Sequence, residues 1–117
     1  MRRDTDLIRD MLFEAEEDAS HLYIAALSMG AGEEDKKKYY HAELLCDAGF
    51  FDSKSSGVYR LTSQGHDYLD AVRDEGIWKQ TKKAVADTGG SATLEIVKSV
   101  AVALLKERIG KITGLDI

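Results

Sequence analysis

The chain has 117 residues, 44% of them hydrophobic, which suits one domain with a single modest core. Its formal charge of -5 repels a phosphate backbone, so any contact with nucleic acid has to be local. The one cysteine, Cys46, excludes an internal disulfide framework and fits a reducing cytoplasm; within "AELLCDAGF" it reads as a half-buried small apolar residue rather than a reactive thiol.

The first residues, "MRRDTDLIRD", lead into an acidic helical pattern rather than an apolar run, so no signal peptide is expected. The most apolar stretch, "LEIVKSVAVALLKERIG", is broken by Lys98 and falls short of the about 20 residues that span a bilayer. The expectation is a cytoplasmic protein with no membrane segment.

Asp4 or Asp6 caps a first helix running to about Asp18, with Leu7, Ile8, Met11, Leu12 and Ala15 on one side. "SHLYIAALSMGAG" suggests a short strand over His21 to Ala26 and then a turn. From Glu33 a second helix starts on three acids, which suit the positive end of its dipole, and finishes at Gly49. Tyr40, Leu44, Leu45 and Ala48 share its apolar face, flanked by Tyr39 and Cys46. Phe50 and Phe51, the polar turn "DSKSSG" and "VYRLT" then form a β-hairpin, with Tyr59 and Leu61 on one side and Val58, Arg60 and Thr62 on the other.

Thr62 or Ser63 caps the next helix. Gly65 lies on the helical face shared by Leu69 and Val72, where glycine costs about 1 kcal/mol of helix propensity; close approach of another backbone is the most economical compensation. The apolar stripe changes phase at Ile77, Trp78, Thr81 and Val85, so a break is expected near Gly76. "DTGGSA" reads as a linker in which Ser91 caps a last helix over about Ala92 to Ile109. Apolar residues span about half of that helix's circumference, wider than the ~100° stripe one core face needs.

The succession of helix, short strand, helix, hairpin and helix is that of a winged-helix domain. "ELLCDAGFF" resembles the end of a winged-helix recognition helix entering its first wing strand, and "YRLTSQGHDYLD" resembles the passage from the second wing strand into the following helix. Together with "RDTDLIRDML", "YYHAELLCDAGFF", "RLTSQGHDYLDAVRDEGIWKQTK" and "SATLEIVKSVAVALLKERIG", these segments resemble a domain-of-unknown-function family of small bacterial and prophage-encoded proteins, with a middle similar to the YjcQ-like winged-helix proteins. The resemblance covers most of the chain. It implies a winged-helix fold with prophage or defence-island associations, and it carries no catalytic residue across. One departure matters: between the first strand and the wing only Ser28 to Ala48 remains, so the positioning helix of a helix-turn-helix is one turn long or absent.

His21, His41 and His66 lack metal-ligand spacing, "GAGEED" is not a phosphate cradle, and "SKSSG" reads as a wing tip; no metal, cofactor or small-molecule substrate is implied, and no enzyme. Lys36, Lys37 and Lys38 with Tyr39 and Tyr40 form the basic-aromatic cluster, near the start of the recognition-like helix. Against it stands the reading of the lysines as a solvated face neutralised by Glu33, Glu34 and Asp35. Trp78 is either an anchor within the body or a partner hot spot.

These readings combine into an α+β winged helix over 1–86, a linker at 87–91, and a region 92–117 whose apolar helix packs on the domain and on a second subunit. The leading function is a DNA-binding, transcription-regulator-like module of phage origin. Lys36, Lys37, Lys38, Tyr39 and His41 would contact a groove of double-stranded DNA, and Lys54 and Arg60 would contact phosphate from the wing. The alternative is a protein-protein adaptor without DNA binding. In either case Trp78, Leu94, Val97, Val100, Ala101, Leu104 and Leu105 are the candidate interface of a homodimer or with another protein.

Overall fold

The structure, a computed structural model, describes every residue except 1, 19, 28, 88, 90–92 and 114–117. Helix α1 (Thr5–Glu17) begins at Asp4, whose carboxylate accepts the Leu7 N–H at 3.1 Å. Ile8, Met11, Leu12 and Ala15 are buried on one face, as their spacing predicts. The strand that follows, β1 (Tyr23–Ile24), is shorter than the sequence suggests. Ser20 is held by Asp18 through its Oγ at 2.6 Å and its N–H at 2.8 Å, and His21 adopts a left-handed φ of 64°, so the chain is still turning where a strand was expected.

Helix α2 (Glu33–Asp47) carries Glu33, Glu34 and Asp35 in its first turn, where the dipole favours them. Among the described residues no helix lies between β1 and α2. The buried face of α2 is His41, Ala42 and Leu45, with Tyr40 and Leu44 half-buried and Ala48 exposed. This rotates the expected face, because His41 enters the core as a fully satisfied ring. Its Nε2 accepts the Asp4 N–H at 2.9 Å, so Nδ1 carries the proton and donates to the Lys37 carbonyl at 2.8 Å.

The hairpin comprises β2 (Phe51–Ser55) and β3 (Val58–Leu61), joined through Gly57 at φ 74°. The sheet is antiparallel in the order β1-β3-β2, with Tyr23 opposite Tyr59, Phe51 opposite Leu61 and a register irregularity between Ser53 and Ser55. Tyr23, Phe51 and Tyr59 are buried on the core side, the first two rings 5.5 Å apart and the last two 5.6 Å apart.

Helix α3 (Ser63–Val72) starts on a knot of local contacts. The Thr62 hydroxyl donates to the Gly49 carbonyl at 2.5 Å and accepts the Gly65 N–H at 3.0 Å, while the Thr62 N–H donates to the Phe50 carbonyl at 2.9 Å. A Cβ on Gly65 would collide with the Phe50 carbonyl oxygen and the Leu61 side chain. That is the backbone approach the sequence calls for, and it explains why a helix-destabilising residue sits there. Tyr68, fully buried, lies 4.9 Å from the Phe50 ring.

The chain divides into two compact units, Met1–Leu69 and Asp70–Ile117. In the second, α4 (Glu75–Asp87) and α5 (Leu94–Thr113) pack on each other. The break expected near Gly76 falls at Arg73 and Asp74, where Asp74 caps α4: its Oδ1 accepts the Ile77 N–H at 2.9 Å, and its other oxygen meets Arg108 at 3.0 Å. Both contacts hold the Asp74 carboxyl below its ordinary pKa, the Ile77 N–H first. Thr93 caps α5 through the Ile96 N–H at 3.2 Å, whereas Ser91 and much of the expected linker at 87–91 lie outside the described residues.

Candidate functional site

The basic cluster is brought to one end of α2, but every cation in it faces an acid. Lys36 lies 3.7 Å from Glu33, Lys37 2.7 Å from Asp4 and Lys38 3.8 Å from Glu14. On the hairpin Lys54 sits 2.9 Å and Arg60 3.8 Å from the same Asp52 carboxylate. Lys37, then the Leu7 N–H, holds the Asp4 carboxyl below its ordinary pKa; Lys54 first, with Arg60 behind it, does the same for Asp52. Exposed pairs of this kind contribute little to stability and exchange partners readily. The rest of the α2 surface weighs more, because Glu34, Asp35, Glu43 and Asp47 are all exposed on it and would meet phosphates with like charge. Tyr39 is half-buried. His41, expected at a groove, is fully buried and serves the core instead, since both ring nitrogens are committed to backbone.

The expected partner interface also turns largely inward. Trp78 is 2% exposed, with Lys82 5.7 Å from its ring, and Leu94, Val97 and Ala101 are buried. They anchor the second unit rather than offering a surface. Val100, Leu104 and Leu105 are half-buried. The large apolar residues that α5 does expose are Ile96, Ile109 and Ile112. At about 100° per residue, Ile96 lies on the opposite side of the helix from Ile112, so the three form no single stripe.

An open cleft of about 300 Å³ is lined by Ala15, Glu16, His21, Arg60, Leu61 and His66, with His66 Nδ1 3.8 Å from Glu16. It gathers both signs of charge without a metal-binding grouping: among the described residues, no set of three or more His, Cys, Asp and Glu side chains is arranged to hold an ion. Cys46 is half-buried, and burial first, then Asp47, Asp52 and Glu43, pushes its thiol pKa up, which keeps it in the unreactive protonated form.

The surface that stands out is one that composition did not mark. Leu22, Ile24, Leu27 and Met29 are 36%, 71%, 47% and 103% exposed, four large apolar side chains within one short stretch around β1. Tyr23 and Ala25, which alternate with Leu22 and Ile24 along β1, are buried. A half-solvated strand normally alternates apolar and polar residues, and "LYIAAL" does not; this missing alternation is the signal that could have identified the site. β1 is also an outer strand. The Ala25 N–H donates to the Gly57 carbonyl at 2.9 Å, so by antiparallel alternation the N–H and C=O of Ile24 point away from β3, off the edge of the sheet.

No helix among the described residues is long and apolar enough to cross a membrane. No solved structure matches the chain. A protein of Haemophilus influenzae (strain ATCC 51907 / DSM 11121 / KW20 / Rd), described as "Uncharacterized protein", is 26% identical over 117 residues, covering 93% of this chain and 99% of that one. Residues 2–91, which include α1, the sheet, α2, α3 and α4, match the model described as "Hypothetical protein (DUF2513)", and the chain belongs to the DUF2513 family.

Proposed function

We propose that the chain is an interaction module of winged-helix type that binds a protein partner rather than reading a DNA groove. The order α1, β1, α2, β2, β3, α3 and the sheet order β1-β3-β2 support the winged-helix reading. The observation that carries the functional part is the exposed apolar set Leu22, Ile24, Leu27 and Met29, in and just after β1, where the described residues between β1 and α2 form no helix. Apolar surface of that density is stabilised by a partner, whereas the acidic face of α2 opposes insertion into a groove.

DNA contact, as a regulator of prophage origin, is the second reading, and Lys54 and Arg60 side by side on the hairpin favour it. Fluorescence anisotropy with random duplex DNA separates the two. The module reading expects no salt-dependent binding and no change when Lys36, Lys37 and Lys38 are replaced by alanine. A steep salt slope that flattens in the triple variant establishes DNA binding instead. A homodimer through α5 is a third arrangement, supported by Ile109 and Ile112; a monomeric mass by light scattering removes it.

A further inference from the structure

We infer that β1 is a docking edge for an extended segment of a partner chain, apolar at its centre and basic at its flanks. The inference rests on the interaction-module reading and names the partner's chemistry. An outer strand whose backbone groups point outward accepts another strand through main-chain hydrogen bonds, with alternate side chains giving specificity. Ile24 supplies both the outward backbone pair and a side chain that is 71% exposed. The edge is closed on one side, because the Ser20 hydroxyl accepts the Leu22 N–H at 3.3 Å and lies 3.5 Å from the Leu22 carbonyl. An added strand therefore pairs at Ile24, on the side away from Leu22.

Charge selects the occupant. Along the sequence the apolar stretch is bracketed by exposed acids, Glu17 and Asp18 before it and Glu34 and Asp35 after it, with Glu33 paired to Lys36. A second copy of this chain paired edge to edge would bring the same acids against one another, whereas lysine or arginine at both ends of an incoming segment would be matched.

The experiment selects short random peptides on the immobilised full-length chain and measures a synthetic copy of the enriched sequence by fluorescence anisotropy. Enrichment of alternating apolar residues between lysines or arginines is expected. Ile24→Asp should weaken binding by about tenfold or more, with an unchanged circular dichroism spectrum, and Met29→Ser should weaken it less. Methylating alternate backbone nitrogens of the peptide should abolish binding, since strand pairing needs those N–H groups. Binding that survives N-methylation, or that ignores both substitutions, overturns the edge while leaving the module reading standing. Failure to enrich any peptide overturns it too, as does self-association of the wild type that Ile24→Asp removes. A DNA salt slope in place of peptide binding defeats the module reading as well.

Discussion

The sheet has two edges, and the chain treats them differently. The β2 edge carries Asp52 and Lys54, paired at 2.9 Å, and a register irregularity between Ser53 and Ser55. Charges and bulges of this kind keep an edge from pairing with other chains. The β1 edge carries Ile24 and its exposed apolar neighbours, and its protection is only its shortness and the Ser20 hydroxyl. One edge is finished and the other is left open within the same three strands. The β1 edge lacks the charges and the irregularity that guard β2, and the docking proposal rests on that difference.

That contrast depends on a frame that holds both strands, and the largest expected effect comes from breaking the frame. His41→Ala removes a buried ring and strips the Asp4 N–H and Lys37 carbonyl of their partner, which should cost about 3 kcal/mol. A urea midpoint lowered at constant slope would show it; an unchanged midpoint would mean that the ring is not the core tie described. Gly65→Ala should cost about 2 kcal/mol, since the new methyl meets the Phe50 backbone just before β2 and one of the two must move. Faster hydrogen exchange at β2 than at β1 in this variant would sharpen the contrast, because only β2 begins at the Thr62 knot.

The edges themselves should respond more weakly. Ile24→Asp is expected to change stability by no more than about 0.5 kcal/mol, as for other exposed positions, and a larger loss would mean that Ile24 is packed after all. The smallest effect is the Asp52 guard. Lys54 holds its carboxyl below the ordinary value of 3.8, so whatever stability the pair contributes is present above that pH and is lost as pH falls through the lowered value. The stability difference between the wild type and Asp52→Asn should therefore narrow below about pH 4. A difference that stays constant from neutral to acid pH would show that the pair does not act.

Much of the fold was legible because its signals are local. Thr62 and Gly65 are a cap and a glycine three residues apart, Gly49 ends α2 in a left-handed turn, and Ile8, Met11, Leu12 and Ala15 declare their face by spacing alone. The candidate site was less legible. Lys36, Lys37 and Lys38 read as a basic patch, yet Asp4 and Glu14, which neutralise two of them, come from α1 and its cap. His41 read as a candidate groove contact because its partner, the Asp4 N–H, lies 37 positions away. Trp78 left two readings open until its burial decided for the anchor.

By itself the sequence determined the helices, the hairpin, the cap at Thr62 and the close approach at Gly65, because each is set by contacts or backbone preferences within a few residues. Only the tertiary structure decided that the lysines are paired, that His41 and Trp78 are interior, and that one apolar strand edge is uncovered. Those properties belong to neighbours brought together from distant positions, and whether a side chain is covered depends on what else folds against it.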